Sequence, residues 1–183
     1  MTNEQVMATT VQILFFSELF QTLFVTMLLF WVDMPLFCKL LPILFMESFD
    51  QQITQKFLDI HIDPNDTTYF LVDKTSDVII HGIVLVYILQ IDYLEKYLDI
   101  FLALYLYSLL GYIFFLLCQQ KSLFLYYPNF FVELLTLFTM IEQFQFSEKC
   151  VFYLGIFVVI IKLIDNFHYY STFKDEPTQK ILR

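Results

Sequence analysis

The sequence predicts an all-α integral membrane protein, a helical bundle of four to five transmembrane helices with one amphipathic helix. Hydrophobic residues make up 58% of the chain and aromatic residues 20%, whereas a soluble domain averages about 45–50% apolar residues. Several apolar stretches approach or exceed the ~20 residues that a helix needs to cross a bilayer. We therefore expect residues 1–183 to form a single membrane domain.

The first apolar segment, residues 11–32, is long enough to span a bilayer and contains Glu18. An ionisable residue inside a span usually faces protein or water. We expect the Glu18 carboxyl either to be buried against a partner helix or to belong to a proton path. Asp33 and Pro35 end this segment. The shorter apolar segment that follows, residues 36–47, is typical of an interfacial or re-entrant helix.

A polar region follows over residues 48–77. Residues 53–60 have the spacing of one amphipathic face, and residues 63–66 (Asp-Pro-Asn-Asp) are a turn signal. We expect His61, among acidic residues, to be a solvated surface histidine, and the alternative is a second metal or haem ligand.

The second half contains a helix over residues 69–91, a clean span over 97–118 and two further apolar segments over 122–146 and 150–168. Charged residues occupy the first turns of the 69–91 helix, so we expect other protein to shield it there. Each of the three glycines falls in a different apolar segment, as expected if each marks a close helix crossing.

The stretch from His81 to Tyr93 combines polar groups with an apolar run. His81 and Gly82 lie near its start, and Asp92 and Tyr93 end it. Eleven residues are close to three helical turns, so on one helix His81 and Asp92 face nearly the same way, roughly 16 Å apart. The alternative is an interfacial Asp-Tyr pair and a histidine that hydrogen-bonds a neighbouring helix.

This pattern, His-Gly followed at fixed spacing by Asp-Tyr (H-x10-D-Y), resembles the second transmembrane helix of the small membrane-anchor subunit of succinate dehydrogenase, respiratory complex II. The resemblance covers about residues 69–118. It implies that His81 is an axial ligand of haem b, with the second ligand supplied by the larger anchor subunit. It also implies that Tyr93 hydrogen-bonds ubiquinone and that Asp92 is the neighbour of Tyr93 at this site.

The resemblance further implies a multi-pass subunit of the mitochondrial inner membrane that takes part in electron transport and the tricarboxylic acid cycle. Its partners would be the larger cytochrome b anchor subunit, the iron–sulfur subunit and the flavoprotein subunit. The chain itself has no Rossmann glycine fingerprint, P-loop or cysteine cluster for an iron–sulfur centre. We therefore expect a non-catalytic anchor. Residues 122–168 lie beyond the resemblance, and we expect them to contact lipid or neighbouring subunits and not the quinone.

Two other functional classes remain open. The chain is either a lineage-specific accessory structural subunit of another mitochondrial respiratory or ATP synthase complex, or a channel or carrier. Paired repeats are missing, which argues against a carrier. The net charge of −9 and the lack of a basic patch argue against nucleic acid as a partner. Cys38, Cys118 and Cys150 show no CxxC spacing, so we expect reduced packing residues.

Overall fold

The computed structural model describes residues 3–46 and 67–170, and all regular secondary structure in these ranges is helical. The predicted amphipathic face over 53–60, the turn over 63–66 and His61 lie outside the described residues. The helices are α1 (Asn3–Trp31), α2 (Leu36–Met46), α3 (Thr67–Ile88), α4 (Leu98–Cys118), α5 (Phe131–Phe144) and α6 (Glu148–Tyr170). Two 3-10 segments, Asp92–Tyr97 and Lys121–Leu125, precede α4 and α5.

Two helical stretches among the described residues are long and apolar enough to cross a membrane, Gln12–Trp31 and Asp92–Cys118. Only 22% and 17% of these stretches, respectively, are buried within the chain. A core helix of a soluble protein would be mostly buried, whereas large exposed apolar surfaces are typical of contact with lipid or other protein. The predicted all-α class is confirmed, and the predicted count of four to five spans is not.

The lower number of spans has local causes. α5 has 14 residues, about 21 Å at 1.5 Å per residue, which is short of the ~30 Å hydrocarbon core. α3 has 22 residues but contains three charged side chains in its first half, Asp73, Lys74 and Asp77. The predicted apolar segment 122–146 is divided, because Pro128 precedes the start of α5 and a proline provides no N–H for a helix.

The chain divides into two compact units between Tyr87 and Ile88. A buried lysine of α2, Lys39, joins the ends of α1 and α3 in the first unit. Its ammonium donates hydrogen bonds to the Leu29 carbonyl and to the Tyr87 hydroxyl, each over 2.8 Å. The Leu29 carbonyl belongs to the last turn of α1, where helices leave carbonyls without intrahelical partners and where positive charge is favourable.

The helices α1 and α3 run side by side in the same direction. Phe30 of α1 packs edge-on against Tyr87 of α3, with ring centroids 5.2 Å apart. Twelve positions earlier in α1, Glu18 interacts with Ser76 of α3. Because the two contacts occur in the same order along both helices, the helices are parallel. The core of this unit consists of fully buried aliphatic and aromatic side chains, among them Val25, Leu29, Leu40, Ile43, Phe70 and Val84.

In the second unit α5 packs against both α4 and α6. Phe101 of α4 makes edge-to-face contacts with Phe131 and Phe138 of α5, the geometry that aromatic pairs prefer. Gln119 caps the end of α4, and it has φ 55° and donates its backbone N–H to the Phe115 carbonyl over 2.7 Å. A residue in the left-handed conformation is a common helix end, although glycine is usual there.

The two glycines in α4 and α6 differ in how closely their neighbours approach. A Cβ atom added at Gly111 would overlap Cβ of Tyr127, whereas at Gly155 the nearest side-chain atom, of Leu137, would be 3.8 Å away. Gly111 therefore marks a close approach, but of the bend that contains Tyr127 and not of another helix as expected. At Gly155 an added Cβ atom would make only an ordinary van der Waals contact.

We expect Gly111→Ala to destabilise the protein by about 1–3 kcal/mol, because the new methyl group overpacks against Tyr127. Gly155→Ala is the matched control, and there alanine gains up to ~1 kcal/mol of helix propensity without a clash. The measurement is thermal unfolding of the purified protein in detergent. Equal midpoints for Gly111→Ala and the wild type would contradict the close packing at Gly111.

Candidate functional site

The structure changes the relation between His81 and the Asp-Tyr pair. α3 ends at Ile88, and the Ile91 N–H donates to the Ile88 carbonyl over 3.1 Å in the turn that follows. Asp92 and Tyr93 begin the next 3-10 segment, which leads directly into α4. The prediction that they end the helix containing His81 is wrong. Helical periodicity therefore does not place them on one face with the histidine.

Asp92 and Tyr93 line one cleft, together with Glu95, Lys96 and Glu142. Its volume, about 470 Å³, lies within the range of about 300–1,000 Å³ that is usual for small-molecule sites, and the cleft is shallow and widely open to its surroundings. The Tyr93 side chain is 48% exposed. The predicted neighbours are thus in one site, where an incoming molecule has access to the tyrosine ring.

Lys96, in the 3-10 segment before α4, forms an ion pair with Glu142, near the end of α5. The Lys96 ammonium lies 2.6 Å from Oε1 of Glu142, and the Tyr97 hydroxyl donates to the same oxygen over 2.8 Å. Lys96 also lies 4.7 Å from the centroid of the Tyr97 ring. The Lys96 hydrogen bond, followed by that of Tyr97, lowers the pKa of Glu142 below its ordinary value.

Glu142 belongs to the region 122–168, which we expected to stay away from the quinone. Its carboxylate lines the same cleft as Tyr93, so this region takes part in the candidate site. Sequence reasoning missed Glu142 because it lies far along the chain from Tyr93. Only the packing of α5 on α4 brings it close.

The predicted haem ligand, His81, lies in α3 and is 1% exposed. The side chains of this chain therefore enclose the imidazole, and its nitrogens are not presented at the surface to a porphyrin held by a partner. Gly82, the small residue expected to admit a flat ring, is half-buried. The packing around His81 does not fit a haem ligand, and the haem assignment stays a prediction of the resemblance alone.

Two further charged side chains in apolar helices lie next to polar groups of a neighbouring helix. Glu18 is 8% exposed and interacts with Ser76, so the prediction that it is buried against another helix is confirmed. Lys162 of α6 forms an ion pair with Glu133 of α5. No three His, Cys, Asp or Glu side chains within residues 3–46 and 67–170 are grouped as a metal site. Cys118, at the end of the span Asp92–Cys118, is exposed within the described chain, and Cys38 is partly buried.

Comparison of the chain with known protein families, with curated proteins and with solved structures found no match. The resemblance to the complex II anchor therefore depends on the residues of the motif.

The Lys96–Glu142 pair predicts a pH dependence of stability. Because the pKa of folded Glu142 is lower than its ordinary value of 4.5, the pair contributes stability above pH 4.5. This contribution is lost as the pH falls through the lowered pKa. Glu142→Gln should lower the melting temperature at neutral pH, and the difference from wild type should shrink in acid.

The matched control is Glu95→Gln, which removes a carboxylate of the same cleft that is not bonded to Lys96 in the described structure. It should leave the pH profile of melting unchanged. If the melting temperature of Glu142→Gln differed from that of the wild type by the same amount at every pH, the Lys96–Glu142 pair would contribute nothing measurable to the pH dependence of stability.

Proposed function

We propose that this chain is a membrane-anchor subunit of a succinate:ubiquinone oxidoreductase, respiratory complex II, in the mitochondrial inner membrane. One observation carries the proposal: the Asp92-Tyr93 pair of the motif lines a cleft of ligand size at the start of an apolar span. Tyrosine is typical of the membrane boundary, since its ring is apolar and its hydroxyl is polar. A quinone in the lipid reaches the cleft at that depth.

In this proposal the Tyr93 hydroxyl donates a hydrogen bond to a carbonyl oxygen of ubiquinone. Reduction to the quinol requires two electrons and two protons, and the electrons come from the partner iron–sulfur subunit. The Asp92 carboxylate is adjacent in sequence, and it either orients the phenol or relays a proton. This chain thus contributes position and proton delivery, and its side chains undergo no redox change.

The charges of the cleft support a neutral ligand. Lys96 is paired with Glu142, so Asp92 and Glu95 leave the cleft with an excess of negative charge. Carboxylates nearby disfavour an anionic form of a reduced quinone and favour its protonated form. The cleft is therefore suited to complete protonation of the product.

The same proposal includes further membrane spans, formed by α3 and α6. α3 has 22 residues and α6 has 23, so each is about 33–35 Å long and can cross a hydrocarbon core if its charged groups are shielded. Lys162 and Glu133 shield each other. The exposed apolar side chains of α6, such as Phe157 and Ile164, would face lipid or the larger cytochrome b subunit.

An accessory structural subunit of another respiratory or ATP synthase complex is the second candidate. The enclosure of His81 favours it, because a filler subunit needs no haem ligand, and the buried Lys39 is fully engaged in holding helix ends together. The accessory-subunit candidate differs from the complex II proposal because it predicts that no quinone contacts Tyr93.

Replacement of Tyr93 by Phe keeps the ring and removes the hydroxyl. We expect succinate–quinone activity to fall roughly 5- to 150-fold, because the bound quinone would cover the Tyr93 hydroxyl and the loss of a hydrogen bond from such a covered site costs about 1–3 kcal/mol. Succinate oxidation by an artificial acceptor at the flavin should stay at the wild-type rate, since that reaction takes place on another subunit. Both activities are measured on the purified complex.

The matched control is Tyr126→Phe, which removes a hydroxyl from a tyrosine that is 71% exposed and does not line the cleft. It should leave both activities unchanged. An assembled Tyr93→Phe complex with full quinone activity would exclude Tyr93 from the site and favour the accessory-subunit candidate.

A further inference from the structure

An almost wholly apolar groove lies in the second unit, where α5 packs against both α4 and α6. Its volume is about 550 Å³, which is within the usual range of small-molecule sites. The three helices contribute Ile100 of α4, Phe138 of α5 and Ile160 of α6 to its walls, among other apolar side chains. Gly155 of α6 also lines the groove, and because glycine has no side chain it leaves space there.

The groove continues from the cleft of the candidate site. On α5, Phe138 of the groove lies one helical turn before Glu142 of the cleft. On the α4 side, Ile100 of the groove lies four residues after Lys96 of the cleft. Tyr97 connects the two, because its hydroxyl donates to Glu142 and its ring centroid lies 4.5 Å from that of Phe138. The cleft and the groove therefore share the line of contact between α4 and α5.

A second ion pair lies at the other end of the groove. On α5, Glu133 directly precedes the groove residue Leu134, and on α6 Lys162 follows the groove residue Ile160 by two positions. The Lys162 ammonium pairs with the Glu133 carboxylate. The groove thus has charged groups at both ends and apolar side chains between them, so the second pair limits how far an apolar occupant extends along it.

The size of the groove favours a flexible tail over a partner helix. It extends along α6 from Phe152 to Ile160, a length of about 12 Å at 1.5 Å per residue. A helix is about 10–12 Å wide, so a helical segment of that length occupies roughly 900 Å³ or more, which exceeds the volume of the groove. A membrane-spanning helix, about 30 Å long, would also have to cover the Lys162–Glu133 pair. An extended hydrocarbon tail is thinner and meets neither obstacle.

We propose that the groove binds the isoprenoid tail of the quinone whose ring occupies the cleft. This inference rests on the proposed function of the cleft, and it extends that function by assigning a tail site to α5 and α6. The polar cleft lies at the start of the apolar span Asp92–Cys118, and the apolar groove follows it along the same helices. A ligand with a polar ring and an apolar tail has the same order of polar and apolar parts.

The groove contributes position more than hydrophobic affinity. Lipid tails are as apolar as leucine side chains, so moving a tail from lipid into the groove removes no apolar surface from water. The gain comes from van der Waals contacts with side chains that are held in place by packing. These contacts restrict the orientation of the attached ring, and a ring held in one orientation at the cleft reacts more efficiently.

The direct test uses the intact complex in native membranes and a ubiquinone analogue that carries a photoreactive diazirine in its tail. After illumination, the labelled peptides are identified by mass spectrometry. We expect label on the groove residues of α5 and α6, and its loss when excess unlabelled ubiquinone is present. Label found solely on other helices or other subunits would overturn the proposal. Labelling of the groove by a phospholipid with a diazirine in its acyl chain, undiminished by excess ubiquinone, would assign the groove to lipid and also overturn it.

Gly155→Phe places a ring in the groove, where an added Cβ atom has only Leu137 nearby, at 3.8 Å. We expect the KM for long-tailed ubiquinone to rise several-fold with little change in kcat, because binding of the tail is lost. The KM for an analogue with a truncated tail should stay at the wild-type value. Ile164→Phe adds bulk at an exposed position of α6 that does not line the groove, and it should change neither KM. An assembled Gly155→Phe complex with the wild-type KM for long-tailed ubiquinone would overturn the proposal.

Tyr93→Phe separates a failure of this inference from a failure of the proposed function. If it lowers activity with the truncated analogue while the tail label lies outside the groove, the tail site is excluded and the complex II proposal stands. If it leaves the activity with both quinones unchanged in an assembled complex, the cleft does not bind the ring, and both proposals fail.

Discussion

The structure depends on the compensation of charged groups within apolar helices. An isolated charge away from water is costly, so it must be paired, hydrogen-bonded or neutralised by a proton. Lys39 meets this constraint by bonding a helix-end carbonyl and a tyrosine, and Lys162 meets it through Glu133. These contacts also fix which helices are neighbours, so the same few polar residues determine both solvation and packing.

The parts of the fold that follow from local chemistry could be predicted from the sequence. The end of α1 before Asp33 and the start of α2 after Pro35 were predicted from a helix-stop signal, and α4 was predicted within one residue of its start from its unbroken apolar run. The end of α3 at Ile88 could not be predicted, since no glycine or proline lies between residues 83 and 110. An extended backbone at Ile91 separates α3 from the next segment.

The candidate site shows the same division. The neighbouring residues Asp92 and Tyr93 were named by the family resemblance, whereas Glu142 enters the cleft only through the packing of α5 on α4. Burial also separates the two halves of the motif: Tyr93 is accessible, and His81 is enclosed. The residues therefore support quinone contact more strongly than haem ligation, although both come from one resemblance.

The central claim is that the chain anchors a succinate-oxidising enzyme, and identification of its partners tests this claim most directly. The chain carries an affinity tag and is purified in mild detergent from its native membrane, and the co-purifying subunits are identified by mass spectrometry. The account predicts stoichiometric recovery of a flavoprotein with covalently bound flavin and of an iron–sulfur subunit. Recovery of the subunits of a different respiratory complex or of ATP synthase, without a flavoprotein of this kind, would contradict it.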